Sequence, residues 1–250
     1  QVDLSFRQQD EIIEMHRLDA RSDDPLQVVF ARFDLRAGQM IDTHHVYLPG
    51  KYLHGYKWQL TDVWTGADGQ PYLVAYKSKQ AIVLHAETFK KVDTLKNHHD
   101  WGPGSFVQGR AYRQHPESRR LQAIDLPSGA LAWEGANPSG SILGLKTLGP
   151  VLLTCGGDKQ AFDRGTGQLR WETNQARYCG AAAQFEGFLA FYDAHGASGQ
   201  PAVIMQDIQN GQVHQVLPVS GQVHGISYHQ ASGTLLAYSS AGVYAWRRSL

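Results

Sequence analysis

Short apolar runs, most of them roughly four to six residues long, recur along the whole chain, and Gly, Pro, Asn or Asp closes nearly every one. The pattern is clearest where Ser141-Ile-Leu-Gly-Leu, Val151-Leu-Leu-Thr-Cys, Gln160-Ala-Phe-Asp and Gln168-Leu-Arg-Trp171 follow one another with turn residues between them. Runs this short, bounded by reversing residues, predict strands rather than helices. Only Glu11 to Leu18 carries a pattern open to a helical reading; Asp and Ser residues cut it off after Leu18, and it is read as a strand.

The turns repeat as well as the strands. Asp, three residues, then Gly recurs as Asp34 to Gly38, Asp125 to Gly129, Asp163 to Gly167 and Asp207 to Gly211, and two copies extend at equal offset to Trp133 and Trp171. An Asp carboxylate can accept backbone N–H bonds across such a turn, and Gly accepts the positive φ that closes a hairpin, so the signature predicts a hairpin between the third and fourth strands of a unit. The step from Asp34 to Asp125 is about twice the later ones, which calls for a degenerate copy between them. Ile82 to Lys90 supplies it, with His85 at the aspartate position and Phe89 at the glycine position, and a further copy begins at Val243-Tyr-Ala-Trp246.

Four strands per period of about 40 residues is the pattern of a propeller blade, whose sheet faces are buried against neighbouring blades. The expectation is one all-β domain over residues 1–250, a β-propeller of about six four-stranded blades, with seven blades and an irregular first or last one as the alternative. The blades are expected near 2–47, 52–95, 100–135, 140–174, 178–217 and 222–250. The last has no clear fourth strand; either Val2 to Arg7 completes it or the ring is capped another way.

The segments Ala123 to Trp133 and Ala161 to Trp171 resemble the PQQ-type quinoprotein repeat, a relative of the WD-type repeats, in which Ala, an apolar residue, Asp, Thr or Ser, Gly and a later Trp recur. The resemblance is strong over residues 121–174, partial around Asp34 and Asp207, and weak from 50 to 120. It implies the fold, with the outer-strand Trp tucked against the adjacent blade. The quinone site is not implied: relatives that bind the cofactor have about eight blades, adjacent cysteines and a calcium site, and here Cys155 and Cys179 are far apart. No cofactor is expected. In repeat type the chain also resembles the longer lipoprotein scaffold of the outer-membrane barrel-assembly machinery.

Charge narrows the partners. Lys and Arg number 23, as do Asp and Glu, so no net field favours nucleic acid, and no nucleic-acid partner is expected. No run reaches the roughly 18 apolar residues of a membrane-spanning helix, so a soluble protein is expected. Gln1 to Gln9 has no basic region followed by an apolar run, and the expectation leaves the compartment open between the cytoplasm and the periplasm or exterior after signal removal. Cys155 and Cys179 fit both compartments, as thiols buried in strands or as a disulfide.

Twelve histidines include the pairs His44-His45 and His98-His99, the second followed by Asp100. Adjacent residues on a strand point to opposite faces, so such pairs chelate poorly, and no metal site is expected. Connections between blades fall on one rim of a propeller, and aligning the repeats gathers five of them: 51–58, 97–101, 137–140, 174–178 and 220–224. They bring Tyr52, His54, Tyr56, Trp58, His98, His99, Trp101, Arg177, Tyr178 and His224 to one mouth of the channel. Tyr, Trp and Arg are enriched at binding hot spots, which points to a protein or peptide partner held by a scaffold, adaptor or inhibitor-type protein. A second reading has Trp58 and Trp101 filling gaps between blades. No nucleophile elbow or phosphate-cradling loop is found and no catalytic residue is assigned; the alternative is a hydrolase or lyase working through His and carboxylate groups at the channel mouth.

Overall fold

A computed structural model describes residues 2–9, 12–19, 26–34, 36–48, 59–61, 63–139, 144–155, 159–173, 181–194 and 199–247. Within them the chain runs as successive antiparallel sheets. The first holds β1 (Val2–Gln9), β2 (Ile12–Asp19), β3 (Leu26–Asp34) and β4 (Gln39–Leu48), so the stretch read as a strand before Asp19 is strand from Ile12 on, Glu11 lying outside the described residues. In the second, the short β5 (Gln59–Leu60) and β6 (Trp64–Thr65) both pair with β7 (Pro71–Lys77), followed by β8 (Gln80–His85) and β9 (Lys91–Lys96).

The third sheet comprises β10 (Phe106–Val107), β11 (Arg110–Gln114), β12 (Leu121–Asp125) and β13 (Ala130–Glu134). The fourth has β14 (Gly144–Leu148), β15 (Val151–Cys155), β16 (Lys159–Asp163) and β17 (Leu169–Thr173). The fifth has β18 (Ala182–Phe185), β19 (Phe188–Asp193), β20 (Ala202–Asp207) and β21 (Val213–Pro218). The sixth, among the described residues, has three strands, β22 (Val223–His229), β23 (Thr234–Ser239) and β24 (Gly242–Arg247), while β1 pairs with β2. Two compact units divide the chain: residues 1–77 with 81–94, and residues 78–80 with 95–250.

The larger unit shows why such sheets stack. Val151, Leu153, Ala161 and Trp171 of the fourth sheet pack on Leu189, Phe191, Ile204 and Ile208 of the fifth and the turn after it. Phe185, Ala190, Val203 and Leu217 carry the other face of the fifth sheet onto Val223, Leu235 and Ala237 of the sixth. Tyr112, Leu121 and Ala123 of the third sheet likewise meet Leu145, Leu152 and Phe162 of the fourth. Sheets covered on both faces read as near-continuous apolar runs, which is the pattern the sequence carries.

The recurrent turn closes as its residues require. Asp163 Oδ1 accepts from the backbone N–H of Gly165 and Thr166, both at 2.9 Å, and the Gly167 N–H returns to the Asp163 carbonyl at 2.8 Å. Asp34 and Asp207 accept the same pair of N–H bonds. In the degenerate copy His85 does the work of aspartate: its Nδ1 accepts from Glu87 at 3.3 Å and Thr88 at 3.4 Å, and Phe89 takes the left-handed φ of 52°. His115 to Arg119 is another turn of this kind, with His115 Nδ1 accepting from Glu117 and Ser118.

Asp125 departs from the expectation. The position two residues on is Pro127, which has no N–H to give, so the carboxylate turns away and accepts from Arg110 Nε at 2.7 Å.

A β-bulge stands at one place after each Asp turn. Ile124 faces Leu131 while Ala123 faces Trp133, leaving Ala132 as the extra residue. Arg170, His214 and Ile41 are the extra residues of the fourth, fifth and first sheets. A bulge bends its strand and re-aims the side chains beyond it. In the third and fourth sheets the next residue is tryptophan. Trp133 Nε1 donates to the Arg164 carbonyl at 3.0 Å, and Trp171 Nε1 donates to the Ile208 carbonyl at 3.1 Å, each one sheet further on. Gly167 and Gly211 lie beneath those rings; a Cβ on Gly167 would stand 2.4 Å from Trp133 Cε3, and one on Gly211 2.6 Å from Trp171 Cδ2. The turn glycine of one repeat is therefore the seat of the tryptophan of the repeat before it.

Candidate functional site

Of the expected rim, residues 49–58 and 174–180 lie outside the described residues, which removes Tyr52, His54, Tyr56, Trp58, Arg177, Tyr178 and Cys179 from structural account. The connection carrying His98, His99 and Trp101 is described, and it is tied down on both sides. Asn97 N–H donates to the Lys79 carbonyl at 3.0 Å and Trp101 N–H to the Ser78 carbonyl at 2.6 Å, while the Ser78 hydroxyl donates to Asp100 Oδ1 at 2.7 Å. Toward the third sheet, the buried Asn97 accepts from the Gln114 N–H at 3.0 Å, and His98 N–H donates to the Gln114 carbonyl at 3.0 Å.

His98 and His99 are half-buried, their rings edge to face with centroids 4.7 Å apart. A carbonyl can only accept, so the 3.2 Å contact of His98 Nδ1 with the Pro116 carbonyl fixes the proton on Nδ1. Burial, the largest influence, holds His99 below the usual histidine range, against a smaller upward pull from its bond with Gln114. Trp101 is buried, stacked on Phe106 at 4.8 Å between centroids, and its Nε1 has no partner among the described residues. His224 is exposed on β22, beside the register shift between Val223 and Gly225. The structure thus joins His98, His99 and Trp101 on one short segment and sets His224 on the sixth sheet.

Sequence reasoning overlooked Lys159. It opens β16, is 1% exposed, and holds Nζ 3.2 Å from the centroid of the Phe191 ring with no hydrogen-bond partner among the described residues. Burial pushes the amine down to about 7, partly opposed by the attraction of Asp193. The signal was available: four residues ahead of the turn Asp or His, the other repeats carry Phe30, Ala81, Leu121 and Val203. Gln206 is a second such intrusion, fully buried at the position held elsewhere by Phe33, Leu84, Ile124 and Phe162, with neither amide atom hydrogen-bonded among the described residues.

Among the described residues no group of three or more His, Cys, Asp or Glu is arranged to hold a metal ion, and no helix is long and apolar enough to cross a membrane.

The stacked four-stranded antiparallel sheets define a β-propeller fold, and solved structures agree. BamB from Moraxella catarrhalis is similar over 99% of this chain and 82% of its own, with a TM-score of 0.57 and 17% identity. The computationally designed protein Ika8 matches over 99% of this chain and 71% of its own, with a TM-score of 0.65 and 14% identity. A chain of the mitotic checkpoint complex matches over 93% of this chain and 73% of its own, with a TM-score of 0.59 and 15% identity. No protein-family model and no curated protein matches the sequence.

Proposed function

We propose that this chain is a single non-catalytic propeller domain of about six blades, of the PQQ-like, WD-related repeat kind, that holds a protein or peptide partner on its loop rim. The observation that carries the reading is the bracing of residues 97–101: backbone and side-chain hydrogen bonds fix the connection from two sides while leaving the His98 and His99 rings half-exposed. A surface fixed before binding loses little entropy on binding, which favours recognition. Membership of one structural neighbour in a multi-protein complex is consistent with it. Tyr52, His54, Tyr56, Trp58, Trp101, Arg177, Tyr178 and His224 complete the proposed surface, Trp101 as the buried footing of its connection.

The test is capture of partners by the purified chain and by a Tyr56→Ala, His98→Ala, Arg177→Ala form. The reading expects a protein retained by the parent and lost by the variant at equal melting temperature. A partner held equally by both forms would move the surface elsewhere. Small-molecule turnover abolished by substitution of His98 or His224 would favour the alternative, a hydrolase or lyase.

A further inference from the structure

At the strand ends opposite His98, the third and fourth sheets leave an open cavity of about 530 Å³ between their turns. That volume falls within the range of small-ligand sites, roughly 300–1,000 Å³. β10 supplies Val107, the β14–β15 turn supplies Pro150, β11 supplies Arg110 and Tyr112, and the turn after β16 supplies Arg164.

The lining holds two cations, Arg110 and Arg164, and two carboxylates, Asp125 and Asp163, but both carboxylates are already engaged, Asp163 by Arg170 from outside the cavity. Asp125 is occupied by Arg110 at 2.7 Å. Asp163 is saturated: Oδ1 accepts from the Gly165 and Thr166 backbones and the Thr166 hydroxyl, and Oδ2 accepts from Arg170 Nε and, at 2.5 Å, Nη2. The Arg164 guanidinium makes no hydrogen bond or ion pair among the described residues, although its backbone is fixed, N–H to the Pro150 carbonyl and carbonyl to Trp133 Nε1. One cation therefore stands uncompensated at the wall of a preformed cavity. Beside it is Tyr112, whose ring is buried and whose hydroxyl burial keeps protonated well above neutral pH.

We propose that this cavity is a binding site for a small organic anion, its carboxylate or phosphate held by Arg164 and its apolar part laid against Tyr112, Val107 and Pro150. An arginine fork suits both oxyanions, and charge-assisted bonds of this kind are among the stronger ones available. The site is independent of the loop rim, so either can fail without the other.

The test titrates the intact chain with phenylacetate, phenyl phosphate and the neutral phenylacetamide, following backbone amide NMR signals. Saturable shifts at Gln108, Arg110 and Gly165 are expected with the anions and not with the amide. Whichever of the two anions binds tighter identifies the headgroup class. Arg164→Gln keeps the backbone bond to Trp133, and it should weaken anion binding roughly tenfold or more, about 1.4 kcal/mol, with the melting temperature unchanged. If Arg164→Gln destabilises the fold, Arg164→Lys, which keeps the charge and loses the fork, is read instead: it should bind both anions more weakly than the parent, and parental affinity in the folded Arg164→Lys protein would overturn the proposal. The proposal is overturned by shifts that do not saturate by about 10 mM, by equal binding of the amide, or by full affinity in the folded Arg164→Gln protein.

Discussion

Gly211→Ala probes the device that links consecutive repeats. Two costs arise from the geometry. The residue sits at φ +71°, where an L side chain is strained by roughly 1–2 kcal/mol. The new Cβ would also stand 2.6 Å from Trp171 Cδ2 and 2.8 Å from Cγ and Cε3, and overpacking of this kind costs roughly 1–3 kcal/mol. Trp171 is buried and its Nε1 is engaged by Ile208, so the ring has no free path of retreat. Together the expected loss is about 2–5 kcal/mol. Gly187→Ala is the control: its φ is +83° with nothing within 4 Å of the added atom, so only the backbone strain applies. Urea unfolding followed by far-ultraviolet circular dichroism gives both numbers. In a Trp171→Ala background the contact is gone, and Gly211→Ala should then cost no more than Gly187→Ala. Additivity of the two changes within about 0.5 kcal/mol, or equal costs at Gly211 and Gly187 in the parent, would refute the claim that the glycine seats the tryptophan.

Other outcomes rest on single residues. The Lys159 amine titrates near 7 in the folded chain and near 10.5 when unfolded, so between those values the unfolded state binds more protons. Its contribution is present above pH 10.5 and lost as pH falls toward 7, with a slope approaching about 1.4 kcal/mol per pH unit. Lys159→Met should raise stability at pH 7 by about 1–4 kcal/mol and flatten that slope; an unchanged pH profile in denaturant titrations would contradict the buried-amine reading. Phe89→Gly restores the repeat's own turn residue, yet it should destabilise. The φ strain relieved, roughly 1–2 kcal/mol, is smaller than the roughly 3–5 kcal/mol lost with a buried phenyl ring; a raised melting temperature would show that the backbone term dominates.

The repeat itself was legible because turn chemistry is local. An Asp that accepts two N–H bonds and a Gly at positive φ leave fixed spacing in the sequence, and the same spacing exposed His85 and Phe89 as their stand-ins. The offset of Trp133 and Trp171 was visible, but its cause was not, since the bulge and the glycine beneath the next ring appear only when two sheets are packed together. Asp125 misled for a local reason that was present in the sequence, the missing N–H of Pro127. Lys159 and Gln206 stood in apolar positions of the repeat and were readable there, although the burial that gives Lys159 its character depends on Phe191 from the neighbouring sheet. The anion cavity could not be read at all, because Arg110, Tyr112 and Arg164 come together only through the stacking of the third and fourth sheets. For the rim, alignment placed His98, His99 and Trp101 on one connection, and the structure adds the bracing by Ser78, Lys79 and Gln114.

Hydrogen–deuterium exchange on the complex with a captured partner tests the central claim most directly. The account predicts slowed exchange at residues 97–101 and 220–224 and unchanged exchange in the turns at 107–110, 125–129 and 163–167. Slowing confined to those turns, with the 97–101 connection unaffected, would contradict it.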